Sequence, residues 1–327
     1  MNCLFVVQGE GWGHMTQALS LAGIRRRAGH EVSAALVGRR SRREVPAFFM
    51  ERMGAPIHTF ESPNFMTDAK NRSVRILPSL TAALRSTGTY RESLRQIAMA
   101  MAVYRPDLVV NFFEPLAGIY YGRFRPRTPM VCIAHQYLVH HPAYPSPPGN
   151  SLNRRALQFF ADVTATGAAR RLALSLKPVS EAVGRRLAIV PPLLRNDLFQ
   201  MPLDRREPFL LAYLLNSGYA PDLVEWHRRR PDVVLHCFWD KRDAEPVYSP
   251  APNLTFHRLD DRRFLDLMSR CTGLVCSAGF ESICEAMYLG KPVMMVPVEG
   301  HFEQTCTRSM RSRPERESPG RPTTLTC

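Results

Sequence analysis

Residues 273–304 read GLVCSAGFESICEAMYLGKPVMMVPVEGHFEQ and predict a strand, a helix and a second strand in succession. Leu274–Cys276 is a short apolar run, and the apolar residues of Glu281–Leu289 recur at the spacing of one helix face. Gly290 suits a helix C-terminus, because glycine tolerates positive φ there. Val293–Val296 is again continuously apolar. The run therefore predicts a βαβ unit in a parallel sheet.

The turn between the first strand and the helix is suited to an anion such as a diphosphate. It begins at Ser277, and Gly279 lets a backbone approach closely, while the helix that follows points its positive end at the ligand. Glu285, one turn into the helix, can accept hydrogen bonds from a ribose diol. Glu303 and Gln304, after the second strand, offer acceptors and an amide donor for sugar hydroxyls.

The pattern G-F-E-S-I-x-E-A-M-x-L-G-K-P-V-x-x-V-P, followed by E-Q, resembles the nucleotide-sugar site of two-domain (GT-B) glycosyltransferases. This group includes UDP-glucuronosyl- and UDP-glucosyltransferases and the N-acetylglucosaminyltransferase of peptidoglycan synthesis. The resemblance implies a diphosphate cradle made of Gly279, Phe280, Glu281 and Ser282. It also implies that Glu285 holds the ribose and that Glu303 and Gln304 hold the donor sugar. The alternative is an ordinary βαβ unit with a solvated loop at Glu303 and Gln304.

The composition indicates a globular protein with an excess of positive charge. The chain has 327 residues, 45% of them hydrophobic and 22% charged, which is enough for two domains with their own cores. The net charge is +14, but 39 of the 43 basic residues are arginines scattered along the chain, with no nucleic-acid-binding motif. We therefore expect no nucleic-acid partner, and attraction to an anionic substrate or membrane surface instead.

The eight cysteines include no C-x-x-C pair and no spacing typical of metal ligands. Several fall in predicted buried strands, so a reducing compartment is expected. No apolar run has the length of a membrane span, and the first residues lack the basic segment of a secretory signal. We expect a cytoplasmic protein, with peripheral association at the inner face of the membrane as a further option.

The N-terminal segment predicts the opening of a doubly wound domain. Cys3–Val7 is a strand, residues 9–14 form a glycine-rich loop, a helix follows, and Val32–Val37 is the next strand. A dinucleotide-binding oxidoreductase would need G-x-G-x-x-G, whereas this loop reads G-x-G-x-G-H. Arginines at the end of the second strand, in residues 38–40, keep an NADP-dependent oxidoreductase open as an alternative.

The loop Q-G-E-G-W-G-H-M-T-Q-A, with A-G-H-E-V before the second strand, resembles the acceptor domain of a bacterial branch of the same glycosyltransferases. The resemblance implies that Gly11 and Gly13 face the inter-domain cleft and that His14 is the catalytic base, with Glu10 as second candidate. A helix N-terminus disfavours the imidazolium, so His14 is expected to be neutral. The alternative role for His14 is to cap the helix or bind a phosphate.

Two further polar residues follow predicted strands on the cleft side. Glu114 comes after Leu108–Phe112, and His135 comes after Met130–Ala134. They are expected either to orient an acceptor and assist His14 or to form a satisfied polar rim.

Histidines and apolar loop residues complete the candidates of the first domain. His135, His140 and His141 lack the second ligand pair of a zinc site, and no metal is predicted. Phe65, Met66 and Ile76 either touch an apolar acceptor or anchor a loop.

The chain divides into residues 1–190, a linker at 191–207, a second domain at 208–304 and a tail at 305–327. Leu152–Arg170 is predicted as a helix of the first domain. In the second, Ser217 and Gly218 are what remains of a glycine-rich loop that lies near the donor phosphates in the peptidoglycan enzyme. The tail has no apolar periodicity, so we expect it to be disordered, with the reading frame lost near Thr305–Arg308 and the second domain left incomplete.

These observations predict an α/β protein of two Rossmann-like, doubly wound domains that face a cleft. The predicted function is inverting transfer of a sugar from a nucleotide-diphospho-sugar, first of all a UDP-sugar, to the hydroxyl of a lipid or small-molecule acceptor. No cofactor is expected. No metal is required if the helix N-terminus stabilises the departing diphosphate, and no D-x-D pair suggests otherwise. The alternatives are an NADP-dependent oxidoreductase and a catalytically inactive relative that binds nucleotide-sugars.

Overall fold

The computed structural model describes residues 1–40, 44–63, 66–67, 74–75, 87–142, 144–145, 151–178, 186–214, 217–241, 243–277, 279–297 and 304–308. These residues form two large, mainly parallel sheets with helices on both faces. Residues 1–190, built on one sheet, are called the first lobe below, and residues 210–297, built on the other, are called the second lobe. The predicted α/β fold of two doubly wound units is confirmed.

The strands of the first lobe are β1 (Asn2–Gln8), β2 (Glu31–Arg39), β3 (Ile57–Glu61), β4 (Met66–Thr67), β5 (Val74–Arg75), β6 (Leu108–Phe112), β7 (Met130–Ala134), β8 (Arg170–Leu174) and β9 (Leu187–Val190). Its helices are α1 (Trp12–Arg27), α2 (Ala47–Met53), α3 (Thr87–Tyr104), α4 (Pro115–Phe124) and α5 (Ser151–Thr164). The large sheet has the order β3-β2-β1-β6-β7-β8-β9 and is parallel throughout, while β4 and β5 pair separately. Strand order reverses beside β1, so the loop after β1 lies at a topological switch point.

The second lobe contains β10 (Leu210–Leu214), β11 (Leu235–Trp239), β12 (Val247–Ala251), β13 (Leu254–Arg258), β14 (Gly273–Cys276) and β15 (Val293–Met295). Its helices are α6 (Ala220–Arg228), α7 (Asp261–Arg270) and α8 (Phe280–Tyr288). The sheet order is β12-β13-β11-β10-β14-β15, and only the edge strand β12 is antiparallel. Among the described residues, 3-10 helices span His135–His140, Asn196–Gln200 and Ser217–Tyr219.

The central strand β1 shows why these sequences form parallel sheets. Its side chains alternate between two buried clusters, with Phe5 facing α1 and α2 and Leu4 facing α3, α4 and α5. Both faces are covered, so the strand is apolar at nearly every position. None of the helices described here is both long and apolar enough to cross a membrane.

Two segments of the second half of the chain pack into the first lobe. Phe280 and Cys284 of α8 belong to the buried cluster beneath α1. Residues 304–308 are helical, and Cys306 is fully buried in the cluster on the other face of the first sheet. The prediction that residues 305–308 belong to a disordered tail is therefore wrong, because this segment is helical and the side chains of Cys306 and Thr307 are buried. Residues 309–327 lie outside the described part of the chain.

Candidate functional site

A cavity of about 210 Å³ lies between the start of α1 and the start of α8. The first lobe contributes Gly11, Trp12, Gly13, His14, Thr16, Gln17, Phe48 and His135 to its walls. The connection between the lobes contributes Arg195, and the second lobe contributes Tyr213, Leu259, Asp260, Asp261, Phe264, Gly279, Phe280, Glu281, Ser282 and Glu285. The predicted diphosphate cradle and the predicted base are thus brought together on one cavity.

The start of α8 is open. Gly279 is its N-cap residue in an extended conformation, with φ −67° and ψ 130°, and no side chain caps the helix. Packing does not require a glycine at this position, because a Cβ there would meet only the Ser282 Oγ, at 3.7 Å. The Ser282 hydroxyl donates to the Gly279 carbonyl at 3.1 Å, so its oxygen does not cap the helix amides. The first-turn N–H groups are consequently available to an anion.

His14 lies in the first turn of α1, which begins after Gly11 and also has no side-chain cap. The imidazole is 7% exposed and stacks on Phe113, with ring centroids 5.7 Å apart. Burial lowers the pKa of His14 to about 4. The side chain is therefore neutral at neutral pH, and loss of hydration is the main cause.

Gln17 crosses the cavity from α1 to α8. Its Nε2 donates to Glu281 Oε1 at 2.5 Å. A Cβ on Gly13 would lie 3.2 Å from the Glu281 Cγ, so the glycine loop of the first lobe packs directly against α8. Burial raises the pKa of Glu281 to about 8, and this carboxyl group is protonated at neutral pH.

Glu285 lines the cavity and forms an ion pair with Arg195. Arg195 donates to both of its carboxylate oxygens, Nε to Oε1 at 2.5 Å and Nη2 to Oε2 at 2.6 Å. The side chains are 2% and 11% exposed for Glu285 and Arg195. Arg195 therefore occupies the carboxylate for which the sequence predicted a ribose contact, and that contact stays a prediction.

His135 and Phe280 form a contact between the lobes. Their rings stack in parallel, with centroids 4.5 Å apart and an angle of 2° between the planes. Phe280 is 4% exposed. The Phe280 side chain thus packs between the lobes, and the contribution of Phe280 to the predicted diphosphate cradle would come from its backbone.

Glu114 lies outside the cavity lining and is fully buried. Its carboxylate accepts from the Ser62 hydroxyl at 2.5 Å and from the Leu116 amide at 3.1 Å, and so caps α4. Burial raises the pKa of Glu114 to about 8. A carboxyl group with these partners cannot reach an acceptor, so the acceptor-side role predicted for Glu114 is wrong.

Other predicted residues also lie away from the cavity. The Glu10 carboxylate accepts from the Arg40 amide at 3.3 Å, at the end of β2. Ser277 follows β14, and Ser217 and Gly218 follow the neighbouring strand β10, so these three share one sheet edge without lining the cavity. Gln304 is 4% exposed in the helical segment 304–308.

Some sequence-based expectations fall on residues outside the described part of the chain. They concern Glu303 as a sugar ligand, and Phe65, Ile76 and the side chain of Met66 as acceptor contacts. Within the described residues, no group of three or more His, Cys, Asp or Glu side chains is arranged to hold a metal ion.

Gln17 and Arg195 are two of the cavity residues that were not predicted as site residues. Gln17 follows His14 by one helical turn, a spacing that could have indicated it, because residues i and i+3 share a helix face. Arg195 lies in the linker, and no local pattern connects it with Glu285, from which it is separated by 90 positions.

Comparison with known proteins identifies glycosyltransferases. The family model described as Glycosyl transferase family 1 matches residues 1–313. A search of curated proteins finds no match. The solved structure of the glycotransferase of kitacinnamycin has a TM-score of 0.61 and 17% identity, covering 94% of this chain and 84% of that one.

Two liganded structures share the fold. Phytolacca americana UGT2, complexed with UDP-2fluoro-glucose and pterostilbene, has a TM-score of 0.62 and 11% identity, covering 94% of this chain and 82% of that one. The spinosyn rhamnosyltransferase SpnG, complexed with thymidine diphosphate, has a TM-score of 0.58 and 15% identity, covering 94% and 83%. At these identities the likeness concerns the fold.

Proposed function

Because the chain belongs to glycosyl transferase family 1, it is a glycosyltransferase, and we propose that its donor is a nucleotide-diphospho-sugar, with UDP-sugars as first candidates. We also propose that the sugar passes to an acceptor hydroxyl with inversion and without a metal ion.

The observation that carries the proposal is the position of the uncapped α8 start on the wall of the inter-lobe cavity. The amides of the first turn and the helix dipole attract phosphate oxygens. In the reaction, negative charge grows on the departing diphosphate, so the same amides would stabilise the leaving group. This supports chemistry that needs no metal ion for that purpose.

His14 is proposed as the general base. Its neutral imidazole can accept a proton at neutral pH, and it lies on the first-lobe side of the cavity, across from α8. The acceptor oxygen would bond to the anomeric carbon as the bond to the diphosphate oxygen breaks, and the hydroxyl proton would pass to His14. A single displacement of this kind, with nucleophile and leaving group on opposite sides, inverts the configuration.

Glu285 is proposed to contact the donor ribose through a rearrangement. A ribose diol would compete with Arg195 for the carboxylate oxygens, so donor binding is expected to change this ion pair. For the acceptor we propose a small hydroxylated organic molecule. This choice is supported by relatives of the same fold whose structures contain pterostilbene or the spinosyn aglycone.

Thermal unfolding in the presence of nucleotides tests the proposal. UDP and UDP-sugars should raise the melting temperature, with TDP and GDP tested beside them, and UMP should do so much less because it lacks the second phosphate. NADPH, whose diphosphate joins two nucleosides, is the control for the oxidoreductase alternative. A shift with NADPH and none with any nucleoside diphosphate or its sugar would refute the proposed donor.

A further inference from the structure

Among the buried polar atoms that lack hydrogen-bond partners in the described residues, two lie three positions apart near the start of α1. They are His14 Nδ1 and Gln17 Oε1. The two side chains are 7% and 1% exposed, so water does not replace the missing partner without cost. Residues at i and i+3 lie on the same helix face, and a ring nitrogen and an amide oxygen are complementary as donor and acceptor. No hydrogen bond joins the two atoms in this conformation, but their chemistry and their place on one helix face make them complementary partners.

The other end of the Gln17 amide is already fixed. Its Nε2 donates to Glu281 Oε1 across the cavity at 2.5 Å. An amide has one donating and one accepting end, so anchoring the nitrogen on the second lobe leaves the oxygen for the first. The Gln17 side chain also raises the pKa of His14, against the larger lowering effect of burial. This is the effect of an acceptor that favours a protonated ring nitrogen.

We propose that Gln17 is a positioning residue that holds His14 as the Nδ1–H tautomer and leaves the Nε2 lone pair for the acceptor hydroxyl. The hydrogen bond that one ring nitrogen makes sets which nitrogen is free to act as a base. The use of Nε2 as a base rests on the proposed function, whereas the tautomer itself does not.

Within the described structure, no carboxylate accepts a hydrogen bond from His14 Nδ1. Glu114, the fully buried acid of the first lobe, is held by Ser62 and by the start of α4. Glu281 reaches the histidine only through Gln17. In the transfer step, the hydroxyl proton moves to Nε2 while the new bond to the anomeric carbon forms and the bond to the diphosphate breaks. The resulting imidazolium keeps its Nδ1–H on the Gln17 oxygen.

This arrangement makes the base dependent on the second lobe. The bond to Glu281 exists only while α1 and α8 are in contact, and that contact orients the amide that positions His14. A histidine correctly prepared only when the lobes meet would limit wasteful hydrolysis of the donor.

Nitrogen NMR of the full chain with labelled histidine measures the tautomer directly. The His14 signals are assigned by their loss in His14→Asn, and wild type should show a protonated Nδ1 at about pH 7. Gln17→Leu should lower the ratio of Nδ1–H to Nε2–H by about fivefold, the value of one ordinary hydrogen bond. Gln17→Glu should keep the Nδ1–H form and raise the pKa of His14, because a carboxylate is a stronger acceptor.

Ser20→Ala is the matched control. Ser20 is buried on the same helix and its hydroxyl donates to the Thr16 carbonyl, so His14 should be unchanged. A protonated Nε2 in wild type, or an unchanged ring in both Gln17 variants, would overturn the proposal. Should Gln17→Leu fail to fold, the nearly isosteric Gln17→Glu decides the question by the direction of its pKa change. UDP binding is measured separately, so a correct tautomer without UDP binding would refute only the proposed donor.

Discussion

The second lobe presents two helix starts to the same cavity, and they differ in what occupies their amides. α7 begins after Asp260, whose carboxylate accepts from the Arg263 amide at 2.9 Å. α8 begins after Gly279, with no side-chain cap. At α7 the capping carboxylate occupies an amide donor and adds a negative charge. At α8 the amide donors are unoccupied by a side chain, and the positive potential of the helix start is kept. The comparison shows why a phosphate is expected at α8 and not at α7.

The largest expected effect concerns Arg195, which connects the two helix starts. Its guanidinium binds the Glu285 carboxylate of α8 and donates to the Asp261 carbonyl of α7 at 3.4 Å. Glu285→Ala leaves a buried cation without its partner, so the free energy of unfolding should fall by about 3–5 kcal/mol, measured by urea denaturation. The control is Glu207→Ala, which removes a more exposed pair with Arg270 and should cost about 1 kcal/mol or less. Equal losses of unfolding free energy in the two variants would show that the buried pair stabilises the protein no more than the exposed pair does.

The second prediction turns one helix start into the other. Gly279→Asp should give α8 the cap that α7 has, and UDP affinity measured by calorimetry should fall by about a hundredfold, through lost amide donors and added negative charge. The backbone at Gly279 has a negative φ, so the fold should tolerate the change. Gly279→Ala, whose Cβ meets no protein atom closer than 3.7 Å, is the control and should bind more tightly than the aspartate variant. Undiminished binding by Gly279→Asp would place the phosphate elsewhere.

The third prediction concerns the acid in the first turn of α8. Burial raises the pKa of Glu281 to about 8, with the charge of Glu285 raising it further and Gln17 and Arg195 opposing. The group is neutral below that pH and becomes an anion beside the phosphates above it. UDP affinity should therefore fall by roughly tenfold between about pH 7 and about pH 9, where the diphosphate charge itself is constant. Glu281→Gln should remove the decrease, and a pH profile that stays the same in this variant would exclude Glu281 as its cause.

The smallest expected effect is on the capped helix. Asp260→Ala removes the side-chain acceptor at the start of α7 and should lower the free energy of unfolding by about 1 kcal/mol, measured by thermal denaturation. Asp260→Asn keeps a capping oxygen without the charge and should restore most of the loss. If the alanine variant is as stable as wild type, the cap contributes nothing and the contrast between the two helices is one of charge alone.

Local signals predicted much of this site from the sequence. Gly279 before α8, Gly290 after it and the apolar strands on each side determine the βαβ unit through short-range geometry, and the bounds in the structure differ from the predicted ones by about one residue. The glycine loop before His14 predicted the start of α1 in the same way.

Contacts between distant parts of the chain were beyond such signals. Gln17 and Glu281 are 264 positions apart, and their bond depends on how two lobes dock. The burial of Glu114 likewise depends on Ser62 from another strand end. Neither hydrogen bond is encoded in the spacing of residues along the sequence.

Two errors in the secondary structure have local causes. The helix predicted to reach Arg170 ends at Thr164, because Gly167 adopts a positive φ of 74° and Arg170 already pairs in β8. The helix α4 was not predicted, although Glu114 followed by Pro115 has the form of an N-cap and a first helical position.

The stacked rings of His135 and Phe280 bear on how a donor enters. The cavity of about 210 Å³ is smaller than the roughly 300–1,000 Å³ of usual ligand sites, so in this conformation it encloses only part of a nucleotide-sugar. Separating the lobes would expose the Phe280 ring, at a cost of about 2 kcal/mol for that side chain alone. The stack between His135 and Phe280 is therefore one of the contacts that a wider opening for the donor would have to break.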